Sequence, residues 1–418
     1  MHVLHSANGK YFHSFFTIYT DTSIKPEEYI KAGLTETIIH EYIHFLQDIS
    51  TVFGLINFTD TISDISSFYN IEETQIKLPY RFKNRIIRET NKDLFSVYFS
   101  ECELFSLPKD GMHIQFDKIP VSEFGMDGFP ELRYYDVTFT KNKYSKNFTF
   151  GAQAILEGMA YLLETHLFNK QESKNWLLPY NFPELIAAYI FPEFSLRRDL
   201  IVALCDISLM FYHPAEAFVE TLYNMKLNKY IPNAIDDVYD YVKNNFQIPK
   251  NNFDTIWINA VSRAINDIKN IVNVNEYNTA SDWAIDNIEY FYKLRQQKMS
   301  FLTELMKCPP DNARVNLYNI FKKFTSPVIY NKNMEFAIIG GYEIPEESHS
   351  QLIYWYNLSK FYEYLFRNDK VKCPFIKFCE LNDKCSHIEV PWERRGEGFC
   401  FYQQFSRMFG LYKREIIV

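Results

Sequence analysis

The chain of 418 residues has little of what would place it outside the class of ordinary globular proteins. It has no long apolar run: its most hydrophobic windows, LIAAYIFPEFSL and LIVALCDISLMFY, are short and broken by Pro or Asp. A bilayer needs roughly 20 apolar residues, so no membrane span is expected. The first residues, MHVLHSANGKYFHSFF, lack the basic, apolar and small-residue regions of a secretion signal. Basic charge is also short, with 44 Lys and Arg against 52 Asp and Glu and a net charge of −8. That balance opposes the electropositive surface needed for sequence-independent phosphate contacts, and nucleic acid is not the expected partner. Only 7 cysteines occur, an odd number, which suits reduced thiols or metal ligation better than a disulfide framework and points to a cytoplasmic setting. Gly/Ser linkers, repeats and low-complexity tracts are missing as well, so domain boundaries are soft.

What the chain does have is apolar material: 47% hydrophobic and 17% aromatic residues, enough for a large core. YFHSFFTIYT (11–20) is rich in aromatic and β-branched residues and reads as one strand. A helical pattern follows from Lys25 to about Phe53, with Pro26 suited to its first turn and Gly54 to its stop. Between about 66 and 149 strand-like pieces such as HIQFD and LRYYDVTFT alternate with glycines at 111, 125 and 128, which reads as an insertion with a small sheet. From Gly151 helices dominate to about Lys323, and QLIYWYNLSKFYEYLF is a late hydrophobic helix. The expected class is mainly α with a small β-sheet, α+β. We divide it into a core over 1–230, a helical region over 231–345, and a C-terminal helix with a cysteine-rich tail over 346–418.

Within the first helical pattern lies HEYIH, residues 40 to 44. Side chains at i and i+4 share one helix face, so His40 and His44 can offer nitrogens to one ion. Zinc takes such nitrogens and keeps a position open for water when three protein ligands are present. Glu41, on the neighbouring face, is the candidate general base and acid. Asp48, one turn beyond His44, either accepts a histidine N–H or is simply solvated. His213, in MFYHPAEAF, is the candidate donor to a developing oxyanion, with Tyr134 and Tyr135 as competitors. His166 is out of phase with Glu157 and is read as an ordinary surface residue.

The pair HEYIH and LEGMAYLLE (156–164) resembles the gluzincin metallopeptidases, in which a second helix supplies a glutamate ligand, and the second segment is similar to the NEGFA-type helix of zinc aminopeptidases. The resemblance implies a zincin-like peptidase core and places Glu157 on the third ligand, Gly158 on the following glycine and Ala160 on the small residue. Glu164 falls on a second acid seven positions on, nearly two helical turns away, as support for the ligands. The chain departs from the family in two ways. Residues 45 to 156, 112 of them, lie between His44 and Glu157, and the Gly-x-Met-Glu-Asn segment that holds a substrate amine in the aminopeptidases is missing. The implied activity is therefore peptide-bond hydrolysis in a protein or peptide, by a narrow-specificity endopeptidase with catalytic zinc, such as a regulatory enzyme, toxin or defence effector answering to a regulatory partner. The strand 11–20 would be the edge that pairs with substrate.

Four cysteines, Cys373, Cys379, Cys385 and Cys400, cluster near the C-terminus with His387 among them. Four thiolates complete the shell of a second, structural zinc or of an iron–sulfur cluster, and packed reduced thiols are the alternative. A competing reading of the whole chain is an interaction or sensor protein in which the metal sites are structural and HEYIH is catalytically silent.

Overall fold

The computed structural model describes residues 3–6, 9–26, 28, 35–80, 99–100, 103–109, 113–120, 133–141, 144–171, 175–245, 253–271, 277–324, 326–338, 349–366, 373, 375 and 400–417. Strands β1 (Val3–Ser6), β2 (Gly9–Phe12) and β3 (Thr17–Thr20) open the chain, followed by helices α1 (Glu36–Ser50) and α2 (Val52–Ser66) and strand β4 (Gln75–Lys77). Next come β5 (Phe105–Pro108), β6 (His113–Pro120), β7 (Arg133–Lys141) and β8 (Tyr144–Phe150). Helix α3 (Ala152–Leu167), strand β9 (Asn175–Leu178) and helices α4 (Phe182–Ile190), α5 (Pro192–Ser195), α6 (Arg198–Ser208) and α7 (Pro214–Leu227) follow. The C-terminal half adds α8 (Ile235–Asn245), α9 (Phe253–Ile271), α10 (Asn278–Gln297), α11 (Pro310–Phe324), β10 (Val328–Asn331), β11 (Phe336–Ala337), α12 (His349–Phe366), α13 (Phe401–Met408) and β12 (Glu415–Ile417). The fold is mainly helical with small sheets, α+β as expected.

The expected single strand over 11–20 is instead two strands joined by a tight turn. Ser14 (φ 68) and Phe16 (φ 49) take left-handed conformations between β2 and β3, which reverses the chain and makes a hairpin. Neither strand is an edge. The five-stranded sheet runs β1-β2-β3-β10-β11, antiparallel except where β10 lies parallel to β3. The backbone groups of β2 and β3 are therefore engaged on both sides, so the expectation that 11–20 forms a substrate-pairing edge is corrected. The 231–345 segment also gives two strands to this sheet, through β10 and β11.

The expected helix from Lys25 to Phe53 is also revised. Helix α1 begins where the Thr35 hydroxyl accepts the Ile38 N–H, and it ends at Ser50 because Thr51 turns extended and caps α2 by accepting the Gly54 N–H. Gly54 thus sits in the first turn of α2 rather than at a stop. A Cβ there would fall 2.2 Å from the Asp48 carbonyl oxygen, so its lack of a side chain lets the two helices meet closely.

Helix α1 is buried on every face from Ile38 to Ser50. It packs against β2 and β3, α2, α3 and α10, which makes it a central helix rather than a one-sided amphipathic one. Each apolar side chain fully buried here, such as Tyr42, Ile43 and Phe45, contributes roughly 1.5–3 kcal/mol. The HIQFD and LRYYDVTFT segments lie in β6 and β7 of a three-stranded antiparallel sheet ordered β6-β7-β8. Gly111, Gly125 and Gly128 lie outside the described residues. Among the described residues no helix is long and apolar enough to cross a membrane.

Candidate metal centre

Helices α1 and α3 lie against each other. From the first come His40 and His44, from the second Glu157, and all three side chains are no more than 2% exposed. Nε2 of His40 is 3.1 Å from Nε2 of His44 and 3.1 Å from Oε2 of Glu157, and Nε2 of His44 is 3.5 Å from the same oxygen. A buried His-His-Glu group able to hold a metal ion results.

The other ring nitrogens decide the tautomers. Nδ1–H of His40 donates to Oε2 of Glu164 at 2.9 Å, and Nδ1–H of His44 donates to Oε1 of Gln47 at 2.8 Å. With those protons committed, each neutral imidazole turns a lone pair from Nε2 toward the other and toward a carboxylate. Three electron-rich atoms at such separations repel unless a cation lies among them. Tetrahedral coordination with bonds of about 2.0–2.1 Å gives ligand separations of about 3.3–3.5 Å, close to those found, so the donor set fits a metal. In the bare chain a proton plays the cation: burial opposes charge on His40, but Glu157 and then Glu164 outweigh it and raise its pKa to about 10. Burial likewise pushes the Glu157 carboxyl upward, and His40 and His44 overcome it to hold that group at about 2.

Glu164 is held in turn. Lys170 donates to it at 2.5 Å and to Glu36 at 2.6 Å. Gln47, which the sequence reading did not single out, also reaches α3 by donating from Nε2 to the Leu156 carbonyl, 3.2 Å away. One amide side chain thereby sets the His44 tautomer and ties the two ligand helices together. Its position three residues after His44 was the available signal.

Asp48 does accept a histidine N–H, but not from His40 or His44. It takes Nδ1–H of His13 at 3.3 Å, the Tyr11 hydroxyl at 2.9 Å and the Ser14 N–H at 2.9 Å. Its work is to clamp the β2–β3 turn onto α1, and the His13 ring so held lies 6.4 Å from that of His44.

Glu41 is fully buried and lies under Gly9 of β2, where a Cβ would come within 3.0 Å of its Oε1 and 2.6 Å of Thr37. Gly158 plays a matching part on α3. A Cβ there would lie 2.5 Å from Pro183 and 3.2 Å from the Tyr180 carbonyl, so glycine lets the Tyr180 loop close over the ligand helix. The Tyr180 ring meets that of His40 edge-on at 5.9 Å. Burial raises the Tyr180 hydroxyl, and the charges of Glu157, Glu41 and Glu164 raise it further. Tyr180 remains only half-buried. It stands in a loop between β9 and α4, and no spacing in the sequence ties it to HEYIH.

Two of the expected oxyanion donors, His213 and Tyr135, hydrogen-bond to groups outside the metal cluster. His213 caps α7 and gives its Nε2–H to the Arg133 carbonyl of β7, while burial lowers its pKa to about 4. Tyr135 donates to Glu220 at 3.0 Å, and its neighbour Tyr134 stands on the same strand, β7. His213 in this way ties α7 to the three-stranded sheet. His166 is half-buried and donates from Nε2 to the Cys308 carbonyl at 2.9 Å. In the tail, Cys373 and Cys400 are both buried. Burial raises the Tyr402 hydroxyl, its hydrogen bond with Tyr364 opposes the rise, and Cys373 and Cys400 add to it. Cys379, Cys385 and His387 lie outside the described residues.

No protein-family model, no curated protein and no solved structure matches this chain.

Proposed function

We propose that the protein is a zinc-dependent peptidase that hydrolyses peptide bonds in a protein or peptide substrate. The observation that carries the reading is the convergence of His40, His44 and Glu157, with both Nδ1 protons already committed and Glu41 adjoining on the same helix. His40, His44 and Glu157 would hold the ion. Bound zinc supplies Lewis acidity and lowers the pKa of water to about 7. Glu41 takes a proton from the attacking water as its oxygen adds to the carbonyl carbon, then delivers it to the amine nitrogen as the C–N bond breaks. Glu164 and Gln47 keep the imidazoles oriented. The Tyr180 hydroxyl donates to the carbonyl oxygen as charge develops there.

A second reading, a structural metal site in an interaction or sensor protein, draws on the burial of Glu41, His44 and both other ligands. Comparison of protein termini made in cells expressing wild type or Glu41→Gln separates the two. New termini with wild type alone support the peptidase. Equal termini in both, or none in either while zinc is bound, rule it out.

A further inference from the structure

At the C-terminal end of α3, more than two turns past Glu157, Thr165 lines a cavity of about 380 Å³ with Lys170, just beyond the helix, and Arg197, Arg198 and Pro310. We propose that this cavity binds a phosphate-bearing small molecule and that its occupancy tightens the metal centre; the second half rests on the metal reading above. Its volume falls within the range of small-ligand sites.

Several features suit an anion. Thr165 is 7% exposed, and its hydroxyl has no hydrogen-bond partner among the described residues. A buried hydroxyl left so costs about 1–3 kcal/mol, which a ligand oxygen would relieve. Helices α6 and α11 both begin at the cavity wall, at Arg198 and Pro310, and α6 has no side-chain cap. Helix starts present unbonded N–H groups and a positive dipole end. Lys170, Arg197 and Arg198 bring three cationic side chains to the wall; Arg197 is paired with Asp199, Arg198 with Glu184 at 2.8 Å and Lys170 with Glu164 and Glu36, so a bound anion competes with these carboxylates. Arg197 uses Nε and Nη2 on Asp199, which leaves the donors of Nη1 for a ligand.

The coupling follows from Lys170. Asn169, at φ 48, turns the chain back at the end of α3, and Lys170 then reaches Glu164, which holds Nδ1–H of His40. A phosphate dianion competes with Glu164 and Glu36 for that ammonium. Glu164, less neutralised, accepts more strongly from His40 and makes its Nε2 a better donor to a cation. By linkage, bound metal then favours the anion by the same factor.

The test uses the full chain, metal-stripped and zinc-loaded, titrated with inorganic phosphate by calorimetry. Zinc affinity is read by chelator competition with and without phosphate. We expect phosphate to bind the metal-stripped wild type and Thr165→Ser, and to bind Thr165→Val and Lys170→Gln about tenfold more weakly or worse. Zinc affinity should rise at least about fivefold in saturating phosphate for wild type and not for Lys170→Gln. No binding to wild type, or binding unchanged in both weakened variants, overturns the site. Phosphate bound with zinc affinity unmoved overturns the coupling. Phosphate bound by a chain that takes up no zinc supports the anion site and refutes the metal reading instead.

Discussion

The Nε2 atoms of His40 and His44 face each other across 3.1 Å. With Nδ1–H of each ring given to Glu164 and Gln47, the metal-free site needs an extra proton on His40 to hold the two Nε2 atoms together. The pair is stable only around a cation, and chelation should therefore cost folding stability. With zinc at about a thousand times its dissociation constant, binding contributes about 4 kcal/mol. Thermal melts with zinc and with excess chelator should differ by several degrees for wild type and coincide for His44→Ala.

Ligand and support should separate by magnitude. Glu157→Ala removes a coordinating oxygen and should abolish stoichiometric zinc uptake. Gln47→Ala and Glu164→Ala leave the three donors in place, and each should weaken zinc by roughly 10–100-fold. Competition against a chromogenic chelator reads all three. Equal zinc affinity in Glu157→Ala and wild type would remove the assigned third ligand.

Gly9 and Tyr180 test the catalytic side of the site. The Cβ of Gly9→Val would enter the space of Glu41 and Thr37, so peptide cleavage should fall by about 10²-fold or more with zinc content unchanged. Tyr180→Phe keeps the ring against His40 and loses the hydroxyl. Its kcat should drop by roughly 10²–10³ with KM little altered. A His213→Phe variant should change kcat far less than Tyr180→Phe does, because its Nε2–H is given to the Arg133 carbonyl.

Away from the metal, Arg295 spans 245 positions of sequence to reach the end of α1. Its guanidinium makes two 2.8 Å bonds to Asp206 and also donates to the Ser50 hydroxyl, with both charged groups fully buried. Removing one member leaves the other charge stranded. Arg295→Met should destabilise the protein by about 3–5 kcal/mol in denaturant melts, and Arg295→Met with Asp206→Leu should recover part of it.

The Glu216 carboxyl is raised to about 7 by burial and then by the charge of Glu220, against Lys118 and Arg133. Its folded pKa lies above its unfolded one, so the folded chain binds the proton more tightly. The stability this adds is complete below about pH 4.5 and is lost as pH rises through 7. Glu216→Gln should remove that slope. Relative to wild type, its denaturation midpoint should be higher at pH 8 than at pH 4.5.

Much of the site could be read from local pattern. HEYIH places two imidazoles on one helix face by period alone, and the apolar residues of α3 mark a helix that must bury the side carrying Glu157. The three-stranded sheet was legible in HIQFD and LRYYDVTFT for the same reason, since strand periodicity is a property of adjacent residues. The turn inside YFHSFFTIYT was not. Its aromatic and β-branched residues favour a strand, and the turn, with positive φ at Ser14 and Phe16, is fastened at Ser14 by Asp48, 34 positions away.

What the sequence by itself determined is which stretches are helical, though not where each helix breaks, and which side chains can ligate, because helix period and residue chemistry act over a few positions. Only the tertiary structure decided that Gln47 rather than Asp48 orients His44, that Asp48 holds His13, and that Tyr180 rather than His213 stands beside His40. Those choices depend on which donors and acceptors lose water together. That is settled when the β2–β3 turn closes on α1, and when the Tyr180 loop closes over Gly158 on α3.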